Sequence, residues 1–145
     1  MPERETIERA QEDAREGKSP STQAGEFVRE EIHHVREGKH GARSPQQAIA
    51  IGLSKARRAG VKLRAPKGKA STRQKAEQDS EAAKHPRRKT SNKRSRATED
   101  ALRREPKKSV SRKALSRQAK NSAVQRAKRA RGAAAKKAAQ TRRAA

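Results

Sequence analysis

The sequence predicts an all-α protein, with a small three-helix N-terminal module followed by a largely disordered basic tail. Apolar residues recur at helical spacing in residues 1–63, and capping residues separate three such runs. Residues 64–145 are too poor in large apolar residues to offset a chain entropy of about 1–2 kcal/mol per residue by burial. Their large apolar residues are Leu102, Val110, Leu115 and Val124.

The first two helices are bounded by proline, serine and glycine. Pro2 fits the first turn of helix one, and Gly17 is a stop signal. Helix two is expected to begin at Ser19, an N-cap followed by Pro20 at the first helical position, and to end at Gly38.

The third helix has the strongest boundary signals. Ser44 and Pro45 form an N-cap and first helical position, and Gln47 is placed for a capping box. Gly60 can adopt the left-handed conformation at the C-terminal end, with Val61 folding back as a hydrophobic contact. These three helices define the predicted module, residues 1–63.

The remainder is predicted to form two segments. Residues 64–108 combine proline, glycine, serine and lysine and are expected to be a disordered basic linker. Residues 109–145 are a low-complexity tail rich in alanine, lysine and arginine, which are strong helix formers whose like charges repel. We therefore expect conditional helix there, formed mainly when a polyanion neutralises the charge.

Charge is distributed very unevenly along the chain. The 145 residues carry a formal net charge of +24, but residues 1–63 hold 12 basic and 10 acidic residues. Residues 64–145 hold 28 basic and 6 acidic residues, and no acidic residue follows Glu105. Such an array predicts a polyanionic partner, most directly a nucleic acid.

Duplex DNA is the favoured nucleic acid. The chain has no tyrosine or tryptophan and one phenylalanine, so it lacks the stacking side chains of many single-strand and RNA binders. Recurring basic pairs instead favour salt-dependent contact with phosphates. The candidate nucleic-acid-binding residues are Arg57, Arg58, Lys62, Arg87, Arg88, Lys89, Lys93, Arg94, Arg103, Arg104, Lys107, Lys108, Arg112, Lys113, Arg117, Lys120, Arg126, Lys128, Arg129, Arg131, Lys136, Lys137, Arg142 and Arg143.

A second candidate is an anion site at the start of helix three, where the helix N-terminus favours negative charge. Its residues are Lys39, His40, Arg43 and Ser44.

Helices two and three can also be interpreted as a helix-turn-helix, although the connection between them is longer than the usual tight turn. The residues that would face a major groove are Gln46, Gln47, Ser54, Arg57 and Arg58.

Other functional classes are not expected. Glu30, His33, His34 and Glu37 form i, i+4 pairs, but adjacent histidines point about 100° apart on a helix, so no metal site is predicted. The sequence offers no phosphate loop, nucleophile motif or cysteine, so no cofactor and no enzymatic activity are expected. Without a signal peptide pattern or a membrane span, the expected location is cytoplasmic.

One segment carries a family resemblance. SPQQAIAIGLSKARRAGVKL, residues 44–63, resembles a block in small bacterial proteins of unassigned function, and HHVREGKHGARS, residues 33–44, is similar to the approach to that block. The resemblance covers about residues 15–63. The tail is similar in composition to those of linker histones and bacterial histone-like proteins, which implies DNA binding at the nucleoid.

The expected function is therefore non-sequence-specific DNA binding, in the manner of a histone-like, nucleoid-associated protein. An RNA- or ribosome-associated protein is one alternative, because ribosomal RNA presents the same phosphates. A protein-interaction adaptor is another, with self-association or a protein partner bound through residues 1–63, and an exposed Phe27 or Ile51 would favour it. Binding to an anionic membrane surface ranks last, because the tail lacks large apolar residues that would insert.

Overall fold

The computed structural model of the chain describes residues 2–85 and 91–144, and every regular element within those ranges is helical. The predicted all-α class is therefore confirmed for this part of the chain. The chain divides into two compact units, which we call unit 1 (Met1–Val110) and unit 2 (Ser111–Ala145). The elements are α1 Arg4–Arg15, α2 Pro20–Glu37, α3 Pro45–Arg58, α4 Ala70–Ala82, α5 Asn92–Arg103, a 3-10 turn at Lys107–Val110, and α6 Arg112–Ala144.

The predicted boundaries of α2 are confirmed. The Ser19 hydroxyl accepts a hydrogen bond from the amide of Thr22 at 3.3 Å, and Pro20 is the first helical residue. Gly38 ends the helix at φ +80°, in the left-handed region that glycine adopts without steric cost.

Both ends of α3 also follow the sequence signals. The Ser44 hydroxyl accepts from the amide of Gln47 at 3.2 Å. The Gln47 side chain reaches back to accept from the amide of Arg43 at 2.7 Å, one residue before the usual capping-box donor. Gly60 has φ +97°, and the amide of Val61 donates to the Ala56 carbonyl at 3.1 Å, which returns Val61 to the core.

Unit 1 has two small apolar cores, each built largely from alanine. The first contains Phe27, which is 1% exposed, surrounded by alanines of α1, α2 and α3, with Leu53 and Leu63 packed at its edge. The second joins Val35 of α2 to Val110 of the 3-10 turn. Because alanine side chains are short, the helices approach one another closely, and apolar surface is buried where they meet.

Residues 102–110 fold back onto the loop between α2 and α3. The amide of Gly41 donates to the Leu102 carbonyl at 2.8 Å, and the amide of Ala42 donates to the Pro106 carbonyl at 3.1 Å. Gly41 faces the backbone of Glu105 so closely that any side chain at position 41 would overlap it. Val110 then packs in the second core beside Val35, Ala42 and Ala48.

The predicted disordered tail is wrong for the described residues after Leu63, because helices α4, α5 and α6 occupy most of them. The prediction was based on the small number of large apolar residues. Helix α4 instead packs on α3 through the buried Ala76 and the buried carboxylate of Asp79. One valine, Val110, anchors the end of unit 1.

Among the described residues, no helix combines the length and the apolar character that a membrane-spanning segment requires.

Candidate nucleic-acid interface

Helix α6 is the most basic element of the chain. It contains 33 residues and is therefore about 50 Å long. Twelve of its residues are lysine or arginine and none is acidic, so unit 2 carries half of the net charge of +24. All twelve basic side chains are exposed, and no ion pair within the described ranges involves any of them.

Half of these basic residues share one side of α6. At 100° per residue, they lie within about 80° of arc. We call this set the basic stripe: Lys113, Arg117, Lys120, Lys128, Arg131 and Arg142. The other six lie on the opposite side, within about 140° of arc. They are Arg112, Arg126, Arg129, Lys136, Lys137 and Arg143. The helix can therefore present positive charge to phosphates from either of two opposite sides, of which the basic stripe is the narrower.

The predicted residues of unit 1 have more varied surroundings. Arg103 pairs with Glu99 at 2.6 Å, and the ammonium of Lys107 lies over Gly38, where the C-terminal end of α2 favours a positive charge. The remaining predicted basic residues that the structure describes are exposed: Lys62, Lys93, Arg94, Arg104 and Lys108. Arg87, Arg88 and Lys89 lie outside the described residues.

Helix α4 covers the face of α3 that a helix-turn-helix would use. Asp79 accepts hydrogen bonds from Ser54 at 2.6 Å and from Arg58 at 2.8 Å, and Lys75 lies 3.3 Å away. Burial raises the pKa of Asp79, but the hydrogen bonds from Ser54 and Arg58 outweigh burial and leave the pKa below its ordinary value. Arg57 is buried, whereas the side chain of Arg58 stays 54% exposed while paired with Asp79.

The residues of the predicted anion site are also engaged internally. Lys39 pairs with Glu3 and Glu37, each at 3.2 Å. His40 faces a carboxylate oxygen of Glu31 at 3.2 Å, and the Ser44 hydroxyl caps α3. Arg43 keeps an exposed side chain. Carboxylates therefore already pair with Lys39 and His40, and Arg43 has no carboxylate partner among the described residues.

Sequence reasoning missed a connected polar network between α2, α3 and the loop that follows α2. Glu30 and Glu31 lie at its centre, and Lys55 of α3 reaches both, at 3.4 and 2.6 Å. His34 contacts Glu3 at 2.9 Å, and hydrogen bonds from His34 and Lys39 hold the pKa of Glu3 below its ordinary value. The spacing of Glu31 and His34 on α2 was the sequence feature that could have indicated this network. Nothing in the sequence pattern indicated that His40 or Lys55 would lie beside these two residues.

The exposed surface offers little apolar area. Phe27 is buried and Ile51 is half-buried, and the one exposed large apolar side chain in the described ranges is Val124, at 61%. The apolar patch that would favour a protein-interaction adaptor is therefore not found on the described residues. Searches for a matching protein family, a similar characterised protein and a similar solved structure found none.

Proposed function

We propose that this chain is a DNA-binding protein of the histone-like, nucleoid-associated kind, which contacts duplex DNA without reading its sequence. In this proposal α6 supplies the affinity, and unit 1 is a folded body attached to it. The compositional similarity of the tail to histone-like proteins points the same way.

The observation that carries the proposal is the uniform charge of α6. Its twelve exposed basic residues have no acidic neighbour within the helix, so phosphates meet no internal competitor for these charges. Duplex DNA carries one negative charge per about 1.7 Å of axis, and a helix about 50 Å long can span many phosphates. Lysine and arginine contacts to phosphates carry no sequence information, so binding of this kind is sequence-independent.

Fluorescence anisotropy with labelled duplex DNA tests the proposal at several salt concentrations. We expect the logarithm of the association constant to fall linearly with the logarithm of salt concentration, with a slope of about −0.9 per neutralised phosphate. If the six residues of the basic stripe make the contacts, the slope is about −5, and if all twelve do, about −11.

The matched comparison is a chain that ends at Val110. Unit 1 has its own cores and a net charge of +12, but its 28 basic residues are interspersed with all sixteen acidic residues of the chain, so the shortened chain should lose tight binding and most of the salt dependence. Two duplexes of unrelated sequence should bind the full chain equally. Undiminished affinity after removal of unit 2 would contradict the proposal, and a strong preference for structured RNA as competitor would move the assignment to an RNA-associated protein.

A further inference from the structure

We propose that unit 1 contains a binding site for a divalent transition metal ion of the zinc type, formed by Glu31, His34 and His40. One ligand atom from each residue lies within 4.8 Å of the other two. Two imidazoles and a carboxylate are a donor set that zinc accepts, with water in a fourth position. This inference is independent of the DNA-binding proposal, because it concerns different residues and a different ligand.

The hydrogen bonds of His40 point to a ligand at this place. Its Nδ1 lies 3.0 Å from the Gly41 carbonyl oxygen, which can only accept, so Nδ1 carries the proton. In a neutral ring Nε2 is then a lone-pair nitrogen, and it lies 3.2 Å from the Oε1 atom of Glu31, a buried oxygen with no hydrogen-bond partner among the described residues. Two electron-pair donors this close together need a cation near both of them, either a proton or a metal ion.

The separation of these two atoms suits a metal ion. Zinc binds nitrogen and oxygen at about 2.0–2.2 Å, so two ligands of a tetrahedral site lie about 3.3 Å apart. The observed 3.2 Å between His40 Nε2 and Glu31 Oε1 is close to that value. Lys55 contacts Oε2 of Glu31, the other carboxylate oxygen, and so leaves Oε1 for the metal.

The surroundings of His34 and His40 supply the outer contacts that hold metal-binding imidazoles. The Nε2 atom of His34 donates to Glu3 at 2.9 Å, so Nδ1 is the nitrogen left for the metal and Glu3 is the outer partner of this ring. Such partners orient the ring and raise its basicity. For His40 the Gly41 carbonyl has this role, and the hydrogen bond from the Gly41 amide to Leu102 fixes the loop.

The charge of the network also favours a divalent cation. With both histidines neutral, four carboxylates and two ammonium groups leave a formal charge of −2. The members, joined by successive ion pairs, are Glu3, Glu30, Glu31, Glu37, Lys39, Lys55, His34 and His40. Glu31 is 1% exposed at its side chain, so its charge is poorly screened by water. Of the three proposed ligands, His34 lines a surface cavity of about 260 Å³, together with Glu3 and Lys39 among others.

The experiment is a titration of the full chain with Zn²⁺ near neutral pH, in competition with a chromophoric zinc indicator. We expect one site, and each of His34→Ala, His40→Ala and Glu31→Gln should weaken it at least about 100-fold, because loss of an outer contact alone weakens metal sites about 10–100-fold. His33→Ala and His85→Ala are the matched controls, because both residues are exposed and the chain has no other histidine and no cysteine. These two variants should bind zinc as the parent chain does.

A second measurement does not depend on the variants folding. In the unsubstituted chain, Zn²⁺ should shift the ring ¹⁵N resonances of His34 and His40 and leave those of His33 and His85 in place. Absence of zinc binding by the parent chain would overturn the proposal. So would equal loss of affinity in the His33→Ala and His40→Ala variants, which would indicate an adventitious surface site.

Discussion

The Cα atom of Val28 lies 2.7 Å from the point where a Cβ atom on Gly52 would stand. The carbonyl oxygen of Phe27 lies 3.0 Å from the same point. Helices α2 and α3 therefore cross with their backbones in contact, and Gly52 is the residue that permits the crossing. Because α2 also packs on α1 and on the 3-10 turn, this crossing organises most of unit 1.

Replacement of Gly52 should separate the two helices. In Gly52→Ala the added methyl group meets backbone atoms, which cannot move aside as a flexible side chain can. We expect a loss of about 1–3 kcal/mol in the free energy of unfolding, the usual cost of overpacking a core. Urea denaturation followed by far-UV circular dichroism measures it.

Gly25→Ala is the control for this prediction. Gly25 lies in α2, and nothing is within 4 Å of an added Cβ atom. Alanine is favoured over glycine in a helix interior by about 1 kcal/mol, so this variant should be more stable than the parent. If both variants changed the free energy of unfolding in the same direction, the close contact at Gly52 would not be what sets the distance between α2 and α3.

Asp79 should make the docking of α4 dependent on pH. Its folded pKa is lowered, so its contribution to stability is present above the unfolded pKa of about 3.9 and is lost as the pH falls through the folded pKa. We expect Asp79→Asn to cost about 1–3 kcal/mol near neutral pH, because it weakens the charge-assisted bonds from Ser54 and Arg58. Unfolding titrations at several pH values should show that the free energies of unfolding of the two proteins begin to converge as the pH falls below about 4.

Glu77→Gln is the matched control for Asp79→Asn. Glu77 is exposed on the same helix, so its replacement removes one negative charge without removing a buried contact. The stability of this variant should stay within about 0.5 kcal/mol of the parent across the pH range. An equal effect of both variants would assign the change to net charge and not to the contacts of Asp79.

Val110 should determine whether residues 102–110 stay packed against the loop between α2 and α3. Val110→Ala removes two buried methyl groups from the second core and should cost about 1.5–3 kcal/mol. Hydrogen exchange provides a local measurement, because the amides of Gly41 and Ala42 donate to Leu102 and Pro106 and should lose protection. Val124→Ala, at an exposed position of α6, should change neither quantity.

The boundaries of α2 and α3 could be predicted from the sequence because they depend on local chemistry. Ser19 and Ser44 cap their helices through contacts with residues three positions later, and Gly38 and Gly60 have left-handed conformations at the ends. Each of these features involves neighbours in the chain, so short patterns suffice to identify them.

The rest could not be predicted because it depends on contacts between distant residues. Asp79 binds residues 21 and 25 positions earlier, and a polar residue in a charged segment gives no sign that it will be buried. His40 is part of the Glu31 network only because the loop after α2 turns back and is held by residues 102–106. A count of large apolar residues also undervalues a core built from two alanines and two valines, to which residues 64–145 contribute Val110 alone.

The arrangement of charge on α6 leads to a further prediction about which side of the helix contacts DNA. If the basic stripe faces the phosphates, replacing three of its residues by glutamine should weaken binding more than replacing three residues elsewhere on the helix. The stripe variant is Lys113→Gln, Arg117→Gln and Arg131→Gln, and the matched variant is Arg129→Gln, Lys136→Gln and Arg143→Gln. Each removes one lysine and two arginines, so net charge and residue type are the same in both.

Salt dependence distinguishes a fixed orientation from diffuse attraction. Loss of three phosphate contacts should make the log–log salt slope less steep by about 2.7, and we expect this in the stripe variant with a smaller change in the matched one. Equal slopes and equal affinities in the two variants would mean that DNA responds only to the total charge of α6, and that the helix binds without a preferred face. Circular dichroism must show equal helicity in both, since glutamine is nearly as good a helix former as lysine and arginine.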